Sequence, residues 1–279
     1  MAFNFTLVAV ASALLGSVAS ILARTLLKDL KSKDILGINF LTMGATLLII
    51  SPLFYSFEPS LTSFLLIVLI ALIDTLANYF FFKTYEQTEV SVATPILSLA
   101  PVFTFAFGWL FLADTVQLST YVLAFLILAG VVAFSADFKN FSRFRAHTLQ
   151  PAILSSLLFG ISAIPSKYLL STLHAINAPT LYMFRAGLIA LFALLFFNFA
   201  LRSIEPRQYR LIFFRGLFVI SQWVLLYFAL SRGNAGVTVT LANITPIFVF
   251  VLSAIFLAEK PTMKKVIASI LVLALSLII

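Results

Sequence analysis

Asp74 is the one acid that falls deep inside an apolar run, and Asn78 lies one helical turn further along the same face. A charge at bilayer depth costs at least about 2.5 kcal/mol, so Asp74 must face other protein. Three roles suit it: ion-pair partner of a buried base, carrier of a coupling proton, or structural hydrogen-bonder. Two bases that could meet a substrate stand within later apolar runs. Lys167 is close enough to a run's end to snorkel to the membrane surface, or it lines a substrate path. Arg185 is about 10 Å deep at about 1.5 Å per residue, where its planar fork could hold a carboxylate or phosphate, or pair with Asp74. Gln222 and Trp223 sit near the middle of another run, below the level of an aromatic belt, and could line a cavity. Arg215, nearer the start of that run, is expected to snorkel.

Pro101 and Pro246 fall inside apolar runs as well. Each lacks a backbone donor and obstructs the bond to the carbonyl four residues earlier, at Leu97 and Ala242, so a helix kink is expected at both. The freed carbonyls cannot face lipid. Thr94, Ser98, Thr240, Asn243 and Thr245 are close enough in sequence to serve them or to line a wet path, and Asn243 and Thr245 are candidate substrate contacts.

Chemistry of other kinds is missing from the sequence. There is no HExxH, no Walker-type phosphate loop and no GxSxG, and the two histidines, His147 and His174, fall between apolar runs. With no cysteine, a thiolate metal site or iron–sulfur cluster is impossible. Neither a catalytic residue, a metal nor a cofactor is expected.

These residues must be positioned by membrane-crossing helices. Of 279 residues 62% are hydrophobic and 10% charged, too few charges to cover the surface of a soluble globule. Cutting the chain into runs of about 20 residues, the length that crosses about 30 Å of hydrocarbon, predicts an all-α fold of ten spans. They cover 4–27, 35–55, 61–82, 90–112, 117–136, 150–172, 178–200, 209–230, 235–257 and 263–279. The first has no basic residue before it and Arg24, Lys28, Lys31 and Lys33 after it, the reverse of a cleavable signal, and is expected to be retained. The connections are too short for an ATP-hydrolysing domain, so uphill movement would draw on an ion or solute gradient.

The net charge of +8 is distributed by side. Connections after odd-numbered spans carry Arg24, Lys28, Lys31, Lys33, Lys83, Lys139, Arg143, Arg145, Arg202, Arg207, Arg210, Lys260, Lys264 and Lys265; those after even-numbered spans carry only Arg232. That bias puts the basic side in the cytoplasm and both termini outside. The charges then explain topology, and nucleic acid is not an expected partner; membrane lipids and a small solute are.

The chain repeats itself. PVFTFAFGWLFLAD (101–114) returns 145 positions later as PIFVFVLSAIFLAE (246–259), and VSVATPILSLAP (90–101) lies over AGVTVTLANITP (235–246). LLGSVAS (14–20) resembles LFGISAI (158–164), and Gly44 falls opposite Gly187. Residues 1–138 and 150–279 are therefore two five-span repeats, joined by a basic linker at 139–149. An odd number of crossings forces the second copy upside down, and such inverted repeats serve alternating access to a central site.

Two five-span halves, each ending its fourth span in proline, an apolar run and an acid, together with YFALSRGNAGVTVTLANITPIF (227–248) and LYMFRAGLIALF (181–192), resemble EamA-type members of the drug/metabolite transporter superfamily. The resemblance implies a secondary transporter of small organic metabolites, amino-acid-like or otherwise anionic or zwitterionic, or of drugs, in the plasma membrane as a monomer or homodimer. The chain departs from the pattern at Asp114, where glutamate is more usual, and in the unequal pair Thr42 and Arg185. A passive channel, a non-transporting scaffold and a lipid-acting membrane enzyme are the alternatives; the last lacks any nucleophile or metal cluster at depth.

Overall fold

A computed structural model describes residues 4–87, 96–135, 146–197, 204–256 and 263–279. Those residues are helical almost throughout: α1 (Phe5–Leu26), α2 (Ser32–Ile50), α3 (Leu61–Gln87), α4 (Ala100–Leu112), α5 (Leu118–Ser135), α6 (Ala146–Lys167), α7 (Ala178–Phe197), α8 (Pro206–Leu230), α9 (Ala235–Ala242), α10 (Thr245–Phe256) and α11 (Met263–Ile278). Among them, seven stretches are long and apolar enough to cross a membrane, and α4 and α5 are shorter apolar helices. Leu48, Ile49, Leu53, Trp109, Phe111 and Leu195 are all more than half exposed, as lipid-facing side chains must be. The chain is an integral multi-pass membrane protein. Lys139, Arg143, Arg145, Arg202, Glu259, Lys260 and Thr94 lie outside the described residues, as does most of the basic linker.

Helix starts are set by side chains that satisfy the first free N–H groups. The Asn4 side chain accepts from the Thr6 N–H at 3.0 Å, and that of Asn234 from the Val237 N–H at 3.1 Å. Helix α8 has a full capping box, Glu205 with Gln208, and Pro206 in its first turn. It therefore begins at Pro206, three residues ahead of the span cut at 209.

Just before Pro101 and Pro246 the helix is interrupted by two turn residues, which is the form that the expected kink takes. Ser98–Leu99 and Asn243–Ile244 are turns at matching positions of the two repeats, and each proline then falls in the first turn of the following helix, α4 or α10. A proline is tolerated there because the N–H it lacks would have no helical partner. Side chains repair the break: Asn243 Nδ2 donates to Val239 O at 2.8 Å, Thr245 Oγ1 to Ala242 O at 2.9 Å, and Ser156 Oγ of α6 to Ile96 O at 2.7 Å.

Packing follows the repeat. Helices α2 and α7 occupy equivalent places in the two repeats and lie against each other. Just beyond the C-terminal end of α2, Phe54 O accepts from Asn177 Nδ2 at 2.6 Å and the Ser56 N–H donates to Thr180 Oγ1 at 3.1 Å, both at the start of α7. The two helices are thus antiparallel. Phe57 and Ile176 form an antiparallel bridge between the adjoining connections. Similarly, α1 packs along α8 and α3 along α6, contacts that exchange when the repeats are exchanged.

The α2–α7 crossing is close enough to exclude a side chain at one position. A Cβ at Gly44 would stand 3.2 Å from both Cα and N of Gly187, whereas a Cβ at Gly187 would meet nothing within 4 Å. Gly44→Val should accordingly lower stability by about 1–3 kcal/mol through overpacking against backbone. Gly187→Ala should leave it unchanged or slightly raised, since alanine is the better helix former. Thermal unfolding of the two purified variants in detergent checks both.

Candidate functional site

Helices α3, α7 and α8 meet around Asp74, Arg185 and Trp223. Asp74 and Arg185 are both completely buried and form an ion pair in which Arg185 Nε donates to Asp74 Oδ2. This is the pairing alternative for Asp74, realised between the two repeats. The guanidinium carbon lies 3.7 Å above the centre of the Trp223 ring, with the Tyr182 and Tyr227 rings at 5.3 and 5.9 Å. Tyr182 and Trp223 are parallel to within 7°, and Tyr227 meets Trp223 edge-on at 5.8 Å. The result is a three-ring cage around one cation. A desolvated cation over an aromatic face gains about 2 kcal/mol, so the rings offset part of the guanidinium's burial.

The cage leaves hydrogen-bonding capacity unused. Arg185 Nη1 and Nη2, Asp74 Oδ1 and the Tyr227 hydroxyl are buried without a hydrogen-bond partner of good geometry, with the Ser162 hydroxyl close to Asp74 and the Ser166 hydroxyl close to Tyr227. Unpaired buried donors and acceptors cost about 1–3 kcal/mol each, so an arrangement that keeps four of them together is one that a ligand's polar groups would complete. Two donors of one guanidinium fit a carboxylate, and the free carboxylate oxygen fits an ammonium or hydroxyl.

Other sequence candidates stand elsewhere. Asn78, 8% exposed, gives its amide N–H to Asp74 O at 2.8 Å. Gln222 turns towards α1, where a Cβ at Gly16 would lie 2.8 Å from its Nε2. Asn243 and Thr245 serve the break before α10, and Thr245 Oγ1 also donates to Ala13 O at 3.3 Å.

Lys167 belongs to a second cluster, at the side with few charges. Its Nζ donates to Asp114 Oδ2 at 2.6 Å and to Gly233 O at 2.7 Å, while Asp114 Oδ2 also accepts from the Ala235 N–H, the first residue of α9, at 2.8 Å. A carboxylate at a helix start accepts free N–H groups and is favoured by the helix dipole. The chain reaches this geometry through Ala113, whose φ of 49° lies in the left-handed region and folds Asp114 back over the end of α4. The cluster joins α4 of the first repeat to α6 and α9 of the second.

Arg215 does not snorkel. It is 6% exposed, and its guanidinium lies 5.1 Å from the centre of the Phe82 ring on α3. The early start of α8 is the reason: nine residues at about 1.5 Å place Arg215 about 14 Å from Pro206, beyond the reach of its side chain to the basic end. Tyr182 and Tyr227 were not singled out from the sequence. The available signal was spacing, since Tyr182 lies three residues before Arg185 and Tyr227 four after Trp223, each on the same helix face.

The profile of the EamA-like transporter family matches the chain twice, over residues 5–136 and 150–279. No curated protein matches it in sequence. A crystal structure of another protein superposes with a TM-score of 0.78, covering 98% of this chain and 95% of that one at 14% identity, a likeness of fold alone.

Asp74→Leu should destabilise the protein by about 3–5 kcal/mol, because it strands the Arg185 guanidinium in an apolar site. The double variant Asp74→Leu/Arg185→Met should recover most of that loss. Thermal unfolding of both in detergent tests the pair; a double variant as unstable as the single one would show that the stranded charge is not the cause.

Proposed function

Since the chain belongs to the EamA-like transporter family of the drug/metabolite transporter superfamily, we propose that it is a secondary transporter of a small organic metabolite bearing a carboxylate, anionic or zwitterionic. The observation that carries the cargo class is the buried Arg185–Asp74 pair with both Arg185 Nη atoms and Asp74 Oδ1 left open. The cargo carboxylate lies along the free guanidinium edge, its ammonium or hydroxyl against Asp74, and its apolar body against Trp223, Tyr182 and Tyr227. The family is one of transporters, and no enzyme activity is part of this reading.

Movement follows from two five-helix repeats of opposite sense, which alternately expose the central site. The antiparallel packing of equivalent helices α2 and α7 supports that arrangement. Lys167, Asp114 and the start of α9 act as the latch on the charge-poor side, which opens when the site must face that way. The protein works in the plasma membrane with its basic side in the cytoplasm. Asp74 is also the group placed to carry a coupling proton, released or taken up as Arg185 turns from it to the cargo.

Purified protein in liposomes, screened by counterflow against amino acids, nucleotides, sugars and organic acids, should show saturable exchange of a carboxylate-bearing solute. Non-saturating flux would instead indicate a channel. For the solute found, Arg185→Ala should reduce exchange at least 100-fold, the loss of a buried guanidinium–carboxylate contact of about 3 kcal/mol. Unchanged saturable exchange would remove Arg185 from the site. In a proton-coupled cycle, Asp74→Asn should abolish solute-driven acidification, read with a lumenal pH dye.

A further inference from the structure

Arg215 lies outside the Arg185 cage, although the Tyr182 ring of that cage is near enough to feel its charge. It lies on α8 eight residues before Trp223, about 12 Å along the helix towards the basic side. On α3, Phe82 is displaced from Asp74 by the same eight residues in the same direction, so Arg215 and Phe82 form a second level below the Arg185–Asp74 pair. Gly216, the next residue of α8, packs against Met43 of α2, where a Cβ would lie 3.2 Å from the Met43 side chain. Helices α2, α3 and α8 together wall this level.

Among the described residues, the second level differs from the first in one respect: it contains a cation and no carboxylate. Arg215 is 94% buried by its 6% exposure, and it makes no hydrogen bond or ion pair with any described residue. Its Nε is sealed and unpartnered, so the little exposure that remains is at the outer part of the guanidinium. Glu86, one turn beyond Phe82 on α3, is engaged by both the N–H and the hydroxyl of Ser32. The contact with Phe82 takes up none of the guanidinium's hydrogen-bonding capacity, so the edge that grips oxygen atoms in pairs has no partner among the described residues. A buried lone charge of this kind costs several kcal/mol, and the energetically cheap remedy is an anion brought to it.

We propose that Arg215 is an oxyanion-binding position in its own right, which takes a carboxylate or phosphate group on the basic side of the Arg185–Asp74 pair. The anion is either free in solution or the headgroup of an acidic lipid; the chemistry at the guanidinium edge is the same. Binding here does not require that Arg185 bind cargo, so the two sites stand or fall separately.

The full chain, purified in a neutral maltoside detergent, is titrated with sodium phosphate or sodium acetate against sodium chloride at equal ionic strength, and thermal unfolding is followed by tryptophan fluorescence. In parallel it is titrated with phosphatidylglycerol against phosphatidylcholine. Oxyanion binding should raise Tm by about 2–4 °C at ten times the dissociation constant. A shift with phosphate or acetate assigns a soluble anion, and one with phosphatidylglycerol alone assigns a headgroup. Arg215→Gln should abolish the shift, Arg215→Lys should keep part of it, and Asp74→Asn/Arg185→Gln should keep it in full. Without added anion, Arg215→Gln should unfold no earlier than the wild type, because it removes an unpaired buried charge; a purely structural arginine would lower Tm when removed. The proposal is overturned if neither anions nor acidic lipid shift the wild type, or if Arg215→Gln shifts as much as the wild type does.

Discussion

A guanidinium buried to full depth among apolar helices cannot be hydrated, so whatever neutralises it must be built into the fold within reach of its own side chain. For Arg185 that partner is Asp74, contributed by the other repeat, with three aromatic rings closing the remaining sides. The pair therefore fixes more than itself. It requires α3 and α7 to adjoin, it requires α8 to present Trp223 and Tyr227 to the same point, and it ties the two repeats at a depth where lipid offers no substitute. Within this one side chain, Nε is committed to the ion pair, and Nη1 and Nη2 have no hydrogen-bond partner.

The repeats share a scaffold without sharing this site. At the 145-residue offset Val219 stands where Asp74 does, and at the 143-residue offset that aligns Gly44 with Gly187, Thr42 answers to Arg185. Symmetry supplies paired features that concern the backbone: breaks at Ser98–Leu99 and Asn243–Ile244, prolines in the turns that follow, and glycines at the α2–α7 crossing. Among the described residues the fully buried ion pair occurs once. A duplicated one would double the desolvation to be offset.

What could be read from the sequence divides along the same line. Hydropathy located the described helices because in hydrocarbon every backbone donor must bond within its own segment, leaving length and composition as sufficient signals. The two repeats were legible for a similar reason, since proline, glycine and small-residue positions are fixed by backbone geometry. Asp74 and Arg185 stood out as charges in the wrong solvent, and their pairing was one of the alternatives. Arg215 departs from its expected surface position because α8 starts early, at the Glu205–Gln208 capping box, which apolar run length does not reveal. Tyr182 and Tyr227 were hidden by company: among 31 phenylalanines and 8 tyrosines, only neighbours in space distinguish the rings that matter. Lys167 was ambiguous because its partner, Asp114, is aimed by the left-handed turn at Ala113, and alanine does not advertise such a turn.

The way the repeats grip each other limits how they can move. Because α1 lies along α8 and α3 along α6, every repeat has a long element embedded in its sibling, like two hands clasped with fingers interlaced. Sliding one repeat bodily past the other would shear both of those contacts along their length. By contact, α1 gathers with α8, α9 and α10, and α6 with α3 and α4, so each group draws on both repeats. A chain severed in the linker would thus yield two fragments that each lack the wall supplied by the other, so that neither is a self-sufficient folding unit.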